Sequence, residues 1–287
     1  MRDEGVGVEV GVGVGVDGGV GEGPTGEPAR EVSVEELYAG CGAALLHHQV
    51  PRAGVRRAWL AGPTAAAWWG PGGRPGGPVD VVTAVGPPAL LGPVLTLAAA
   101  TSPTPGRLSV EARSAHVVPA PWRQVDPWTW HWMRARRGDV PLAPTPEVVD
   151  LGLAHPEEVD AVLDAANPGS FARSDTPGVL TWHGVRRPGP GRPLVAVGAL
   201  AAQPDGSGHL RGVAVLPGER GRGLGRAVST SLTRAGLALA DVVTLGVYTD
   251  NAPALAVYAS LGYETVHTFV SGPASARSST TAAVPSR

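Results

Sequence analysis

Apolar residues follow the most regular pattern between residues 148 and 272. Short apolar runs predict strands at 148–151, 179–186, 194–202, 210–215, 242–247 and 264–270. Helical spacing of apolar residues predicts helices at 156–166, 223–240 and 252–261. The resulting order, β-α-β-β-β-α-β-α-β, predicts an α/β fold with a mixed sheet.

The pattern is less regular between residues 30 and 140. It predicts a helix at 31–46, a buried strand at 79–85 and a buried helix at 89–100. Residues 81–106 carry no charge, which is long enough to suggest a membrane helix. Glycine and proline at 86–88, 92 and 93 interrupt that run, so the strand-helix interpretation is favoured.

Three tryptophans, Trp128, Trp130 and Trp132, occupy alternate positions of a predicted strand. Their rings therefore share one face of a sheet. We expect that face to pack against a neighbouring layer, and the alternative is an aromatic wall for a substrate.

Composition divides the chain further. The alternation of glycine and valine at 5–22 loses too much entropy on ordering to form a stable strand. We therefore expect a disordered leader at 1–29 and a disordered tail at 273–287. Between them we expect an N-terminal α/β domain at 30–140 and a second domain at 148–272.

Charge and cysteine content exclude several classes. The net charge of −2 gives no reason to expect a nucleic-acid or membrane partner. All 23 basic residues are arginines, which excludes a Walker phosphate loop because that loop needs lysine. The single cysteine, Cys41, excludes an internal disulfide or a multi-cysteine zinc site, and we expect it to be an ordinary part of the fold. No metal site and no signal peptide are predicted, so we expect a cytoplasmic protein.

The segment VAVLPGERGRGLGR, residues 213–226, predicts a strand, a glycine-rich turn and the start of a helix. Unpaired amides at a helix N-terminus attract anions, and glycines let a pyrophosphate approach the backbone. Arg220, Arg222 and Arg226 add charged donors. A Rossmann fingerprint is disfavoured because Arg226 stands where that fingerprint requires glycine.

A second segment begins at Asn251, which can cap the helix that follows. Tyr258 lies seven residues later, nearly two turns and about 10 Å along the same helix face. One face can thus contact an extended ligand at two points. A core tyrosine is the alternative interpretation of Tyr258.

Together the two segments resemble the GNAT superfamily of N-acetyltransferases. Arg220, Gly223 and Gly225 are similar to its R/Q-x-x-G-x-G/A motif, and 251–263 is similar to N-x-x-A-x-x-x-Y-x-x-x-G-[FY]. The resemblance covers 148–272 and implies a GNAT acyl-CoA fold with acetyl-CoA as co-substrate. It also permits a tandem in which 30–140 is a degenerate second copy. That copy lacks the first motif, so we expect it to shape the acceptor pocket without strong cofactor binding.

The resemblance implies a role for each matching residue. The cofactor would lie between the strands at 210–215 and 242–247, with Asn251 in contact with it and Tyr258 protonating the thiolate. The amide of Val215, or one beside it, is a candidate oxyanion donor. The remaining cofactor contacts would come from Val213, Ala214, Val215, Arg220, Gly221, Arg222, Gly223, Leu224, Gly225 and Arg226.

The general base is less clear from the sequence. Some members of the family place a carboxylate at a position that corresponds to His209. A histidine there can accept a proton directly or through water. The alternative is a surface histidine beside the turn at 204–208.

The sequence therefore predicts an N-acetyltransferase that acts on a small-molecule or peptide amine. The alternative is a non-catalytic acyl-CoA sensor or interaction module, which would keep the pyrophosphate loop without needing Tyr258. Acceptor identity and oligomeric state stay open, and a homodimer is compatible with the sequence.

Overall fold

A computed structural model describes residues 27–72, 79–138 and 147–275. The described strands are Arg30–Val32 (β1), Arg57–Ala61 (β2), Ala65–Gly72 (β3), Val79–Val85 (β4), Arg107–Glu111 (β5), Arg123–Gln124 (β6), Trp128–Arg136 (β7), Val148–Gly152 (β8), Val179–Arg186 (β9), Leu194–Ala202 (β10), Gly208–Val215 (β11), Val242–Tyr248 (β12), Glu264–Gly272 (β13) and Ala274–Ser275 (β14). The described α-helices are Val34–Gly40 (α1), Ala44–Gln49 (α2), Pro88–Thr101 (α3), Pro156–Ala166 (α4), Leu224–Leu239 (α5) and Ala252–Ser260 (α6).

The expected leader and tail lie mostly outside the described residues. The first residues of the expected tail form β14, which pairs with β6. None of the helices in the described ranges is both long and apolar enough to cross a membrane.

Twelve strands form one continuous sheet in the order β1-β2-β3-β4-β5-β13-β7-β12-β11-β10-β9-β8. We match β1 to β5 of the N-terminal half, in order, with β8 to β12 of the C-terminal half, and β7 with β13. With this matching, the strand order is the same whether the sheet is followed from β1 or from β8. The pairings agree as well, since β4 with β5 and β11 with β12 are the two parallel pairs of this sheet. The mixed α/β fold expected from the sequence is confirmed, and the two halves repeat one arrangement of strands.

The last strand of each half is exchanged. β7 belongs to the N-terminal half by sequence, but it pairs with β12 from Val242↔Arg136 to Tyr248↔Trp130. β13 belongs to the C-terminal half, but it pairs with β5 from Phe269↔Glu111 to Gly272↔Leu108. The halves therefore share one sheet, and each is completed by a strand of the other.

Helix α5 shows how the sequence produces one layer of the core. Val228 and Leu232 are fully buried and contact apolar residues of the neighbouring strands, including Leu210 and Leu245. Removal of each such side chain from water contributes about 2 kcal/mol. The predicted helix at 223–240 is thus confirmed to within one residue at each end.

The predicted helix at 31–46 is wrong in its extent. Ser33 caps α1 through a capping box with Glu36, so the residues before it form β1. The chain is extended at Cys41, which ends α1 before α2 begins. The strand predicted at 79–85 and the helix predicted at 89–100 correspond to β4 and α3.

Glu111 joins the two halves at the end of β5. Its buried carboxylate accepts hydrogen bonds from the Gly86 amide at 2.9 Å and Arg113 Nη2 at 2.8 Å. It also contacts His267 Nδ1 on β13 at 2.8 Å. Burial raises the pKa of Glu111, but these partners more than offset it and lower the pKa to about 2.

We expect this carboxylate to stabilise the fold above pH 4.5, its ordinary pKa, and the contribution to disappear as pH falls toward 2. Stability falls with decreasing pH because Glu111 takes up its proton at a higher pH in the unfolded chain than in the folded chain. A difference of this size corresponds to about 3 kcal/mol. Urea unfolding of Glu111→Gln should show lower stability at pH 6 and a smaller loss between pH 6 and pH 3. Exposed Glu35→Gln is the control. An unchanged pH dependence in Glu111→Gln would contradict this role.

Candidate functional site

The parallel strands β11 and β12 separate halfway along their length. They pair from Gly208↔Val243 to Leu210↔Leu245 and not beyond. β11 continues to Val215 and β12 to Tyr248, so an opening lies between their ends. The position agrees with the opening expected from the sequence.

A β-bulge turns the end of β11 toward this opening. The register with β10 shifts between Val197↔Ala214 and Ala199↔Arg211, and Gly212 lies in the left-handed region at φ 59°. The Leu216 amide donates to Val195 of β10 at 2.9 Å. Because successive peptide groups point to opposite edges of a strand, those of Val215 face the opening. The Val215 amide is available to an extended ligand, whereas its carbonyl accepts a long contact from Arg220 Nε at 3.4 Å.

The turn after β11 presents unpaired amides. Gly221 and Gly223 have φ of 77° and 76°, and Gly223 is the N-cap of the 16-residue helix α5. Within the described residues, the N–H groups of 221–226 donate to no protein acceptor. A β-carbon built at Gly221 or Gly223 has no neighbour within 4 Å. The turn is thus an open concavity of donors at the positive end of a helix, which suits an anion.

The three arginines of this turn have different surroundings. Arg222 pairs with Glu219 at 2.7 Å, and Arg187 binds the same buried carboxylate. Arg226 donates to the Ser260 hydroxyl at 2.6 Å. Arg220 makes only long contacts to backbone carbonyls, at 3.4 and 3.5 Å. Arg222 therefore braces the turn, while Arg220 is the least constrained of the three.

Asn251 caps α6, as the sequence predicts, because its Oδ1 accepts a hydrogen bond from the Ala254 amide at 3.2 Å. Tyr258 is buried on the same helix and packs edge-on against Tyr263, with ring centroids 5.7 Å apart. Burial raises the pKa of Tyr258 to about 12, against a smaller opposite effect of the Ser229 hydroxyl.

His209 is buried, so the interpretation as a surface histidine is wrong. Its Nδ1 lies 2.7 Å from Thr244 Oγ1, which also accepts a hydrogen bond from Gln203. Burial, with a smaller effect of Arg211, lowers the pKa of His209 well below 6.5. The imidazole is therefore neutral at pH 7.

A cavity of about 610 Å³ lies between the two halves. Of the site residues predicted from the sequence, it is lined by His209, Val213, Asn251 and Tyr258. The remaining predicted cofactor residues, Ala214, Val215 and 220–226, are not among its walls. The site thus has two parts, a donor-rich turn and a cavity that contains Tyr258.

The sequence predicted few of the individual cavity walls, which come from both halves of the chain. Trp132 is fully buried, and its N–H donates to Gln49, as expected for a packed face. Trp128 and Trp130 line the cavity instead, and a substrate wall at these two positions stays a prediction. One wall residue, Arg211, could have been predicted from the sequence, because it is a charged residue within a largely apolar strand.

The corresponding turn of the N-terminal half is different. Only Gly86 and Pro87 separate β4 from α3, and Pro87 and Pro88 have no N–H to donate. The Gly86 amide is bound by Glu111. β4 and β5 stay paired up to Ala84↔Val110, one residue from the end of each strand. Among the described residues, this turn offers no free cluster of amides like that at 221–226.

Among the residues that the structure describes, other reactive groups do not form a second centre. Cys41 is buried, and burial raises the pKa of its thiol, which disfavours the reactive thiolate. No group of three or more His, Cys, Asp or Glu in the described ranges could hold a metal ion.

Comparison with known proteins gives a family match and a shared fold. Residues 156–263 match the sequence profile of the Acetyltransferase (GNAT) family. No match was found among curated proteins.

Two solved structures share the fold. A GNAT-family acetyltransferase from Colwellia psychrerythraea has a TM-score of 0.52 at 11% identity, with 86% of this chain and 99% of the other covered. A Drosophila protein has a TM-score of 0.53 at 14% identity, with 76% and 78% covered. A tandem GNAT protein of clavulanic acid biosynthesis reaches 0.48 at 18% identity, with 88% and 99% covered, and that value supports no inference.

Proposed function

We propose that this protein acetylates an amine with acetyl-CoA as co-substrate, because residues 156–263 match the Acetyltransferase (GNAT) family, whose members transfer acyl groups from acyl-CoA. The single observation that carries the proposal is the run of unpaired amides at 221–226, beside a strand opening whose far wall includes Tyr258. The acceptor is a small-molecule or peptide amine, and the site of action is the cytoplasm.

The chain has a group for each part of acetyl-CoA. The amides of 221–226 bind the pyrophosphate at the N-terminus of α5. The free edge of β11 at Val213, Ala214 and Val215 pairs with the pantetheine arm, as an added strand does. Asn251 contacts the cofactor from the start of α6. Arg220 is the arginine of the turn best able to reach a phosphate, because the other two are engaged with side chains.

The reaction is direct attack. The amine nitrogen bonds to the thioester carbonyl carbon, and the carbon–sulfur bond breaks. Tyr258 donates its proton to the departing sulfur. With a pKa of about 12, the phenol stays protonated throughout the neutral range. The Val215 amide faces the opening and is the proposed donor to the oxyanion.

The proton lost by the amine is accepted by His209 directly or through water. Burial keeps the imidazole neutral and therefore able to accept a proton. The same burial makes His209 a weak base, so passage of the proton onward to water is favoured over its retention.

Two measurements on the wild-type protein test this function. Calorimetric titration should detect coenzyme A with a Kd between about 1 μM and 1 mM, a range typical of enzyme substrates. Thiol release from acetyl-CoA should then depend on the presence of an amine from a panel. Binding without release by any amine would indicate the acyl-CoA sensor instead. Absence of coenzyme A binding by the folded protein would remove both functions.

A further inference from the structure

The charges that line the 610 Å³ cavity are all of one sign. Arg107 of β5 and Arg211 of β11 line it, and no aspartate or glutamate is among its walls in the described structure. Serine, threonine and aromatic side chains make up much of the rest, including Thr83, Ser109 and Trp130. A ligand that fills this space lies among side chains whose formal charges are positive.

Arg211 is the more informative of the two arginines. It follows His209 by two residues, so both side chains project from the same face of β11. Arg211 is partly buried, and this burial lowers the pKa of its guanidinium. No carboxylate in the described residues forms an ion pair with it, whereas Arg187 and Arg222 share the buried Glu219. A partly buried charge without a partner is costly, and an anionic ligand group would offset that cost.

The cavity continues into a second space of about 310 Å³. Trp128, Phe171 and Tyr248 line both spaces, and so does Arg107. The aromatic rings provide flat apolar surface at one end of the combined volume. The polar end contains Arg211, His209 and Tyr258. In the proposed reaction, the amine meets the thioester at this end.

We propose that the acceptor is an amino acid-like molecule, an amine with a carboxylate bound by Arg211 and an apolar side chain packed against Trp128, Phe171 and Tyr248. This inference rests on the proposed acetyltransferase function. The inference selects amines that also carry a carboxylate, because an amine without one leaves the Arg211 guanidinium without an anionic partner.

A phosphate of the cofactor is the other anion that could reach Arg211. The position of the arginine favours the acceptor. Arg211 and His209 line the cavity, whereas residues 221–226, which carry the unpaired amides, are not among its walls. The cofactor anions have their own site in that turn.

Three matched amines test the proposal: L-phenylalanine, L-phenylalaninamide and 2-phenylethylamine, with thiol release from acetyl-CoA as the readout. Arg211→Gln should lower kcat/KM for phenylalanine by at least about 30-fold, as expected for the loss of a buried charged contact. It should change kcat/KM for the two amines without a carboxylate by less than about threefold. Arg211→Lys should lie between wild type and Arg211→Gln for phenylalanine.

Two controls separate the possible causes of a lower kcat/KM in Arg211→Gln. Arg30→Gln, at a surface arginine paired with Glu36, should leave all three amines unaffected. The Kd of acetyl-CoA should be the same in wild type and Arg211→Gln. A fall in cofactor affinity in Arg211→Gln would assign the arginine to a cofactor phosphate and overturn the proposal. An equal effect of Arg211→Gln on all three amines would overturn it as well.

Ligand binding gives a readout that needs no turnover. N-acetylphenylalanine should bind the wild type at least about 30-fold more tightly than N-acetylphenylalaninamide, and the difference should disappear in Arg211→Gln. Equal binding of the two compounds by the wild type contradicts the carboxylate site. If acetyl-CoA is neither bound nor turned over while this preference persists, the proposed function fails and the anion site in the cavity stands.

Discussion

Replacement of Gly223 by glutamate should abolish coenzyme A binding. Gly223 is the N-cap of α5 with φ 76°, in the middle of the unpaired amides at 221–226. The new side chain enters open space above this turn, where we place the pyrophosphate. Two like charges about 4 Å apart repel by about 4 kcal/mol at a protein surface, which corresponds to a loss of about 1,000-fold in affinity.

The left-handed conformation of Gly223 also makes this substitution strained, by about 1–2 kcal/mol. Gly178→Glu is a matched control, because Gly178 has φ 83° and equally open surroundings but lies before β9. Both variants should lose similar thermal stability, and only Gly223→Glu should lose the calorimetric signal of coenzyme A. Normal binding by Gly223→Glu would remove the turn from the cofactor site.

Replacement of Tyr258 by phenylalanine should lower kcat by about 100- to 10,000-fold, the usual contribution of a general acid. The ring that packs against Tyr263 is kept, and only the phenolic hydroxyl is lost. The Kd of acetyl-CoA should therefore change by less than about threefold. Thiol release at saturating substrates measures the first quantity, and titration measures the second.

Tyr263→Phe is the matched control for loss of a buried hydroxyl. The Tyr263 hydroxyl lies 2.9 Å from Thr233 Oγ1, and Tyr263 is not among the cavity walls. This variant should lose about 1 kcal/mol of stability and keep its kcat. Wild-type turnover by Tyr258→Phe would exclude the phenol from the mechanism and favour a proton from water.

Local signals in the sequence predicted the elements but not their long-range pairing. Apolar periodicity located α5 to within one residue, and the cap at Asn251 was predicted from its side chain. The exchange of β7 and β13 depends on contacts between residues more than 100 positions apart, such as Trp130 with Phe269. No turn or periodicity encodes such a pairing.

The same contrast between local features and long-range contacts applies to the candidate site. The turn at 221–226 and the position of Tyr258 follow from spacing along single elements, so sequence motifs identify them. The partner of His209 does not, because Thr244 becomes its neighbour only through folding. The same holds for Arg187 and Glu219. The capping box of Ser33 with Glu36 was visible in the sequence, and its use would have corrected the helix predicted at 31–46.

The exchanged strands also constrain how the protein can be made. During synthesis the N-terminal half emerges first, but β5 has no neighbour on one side until β13, near the end of the chain, has been translated. Until then an edge strand with unpaired backbone groups is exposed to other chains. Because pairing over such long sequence separations is slow, completion of the sheet waits for β13, the last of its twelve strands to be translated.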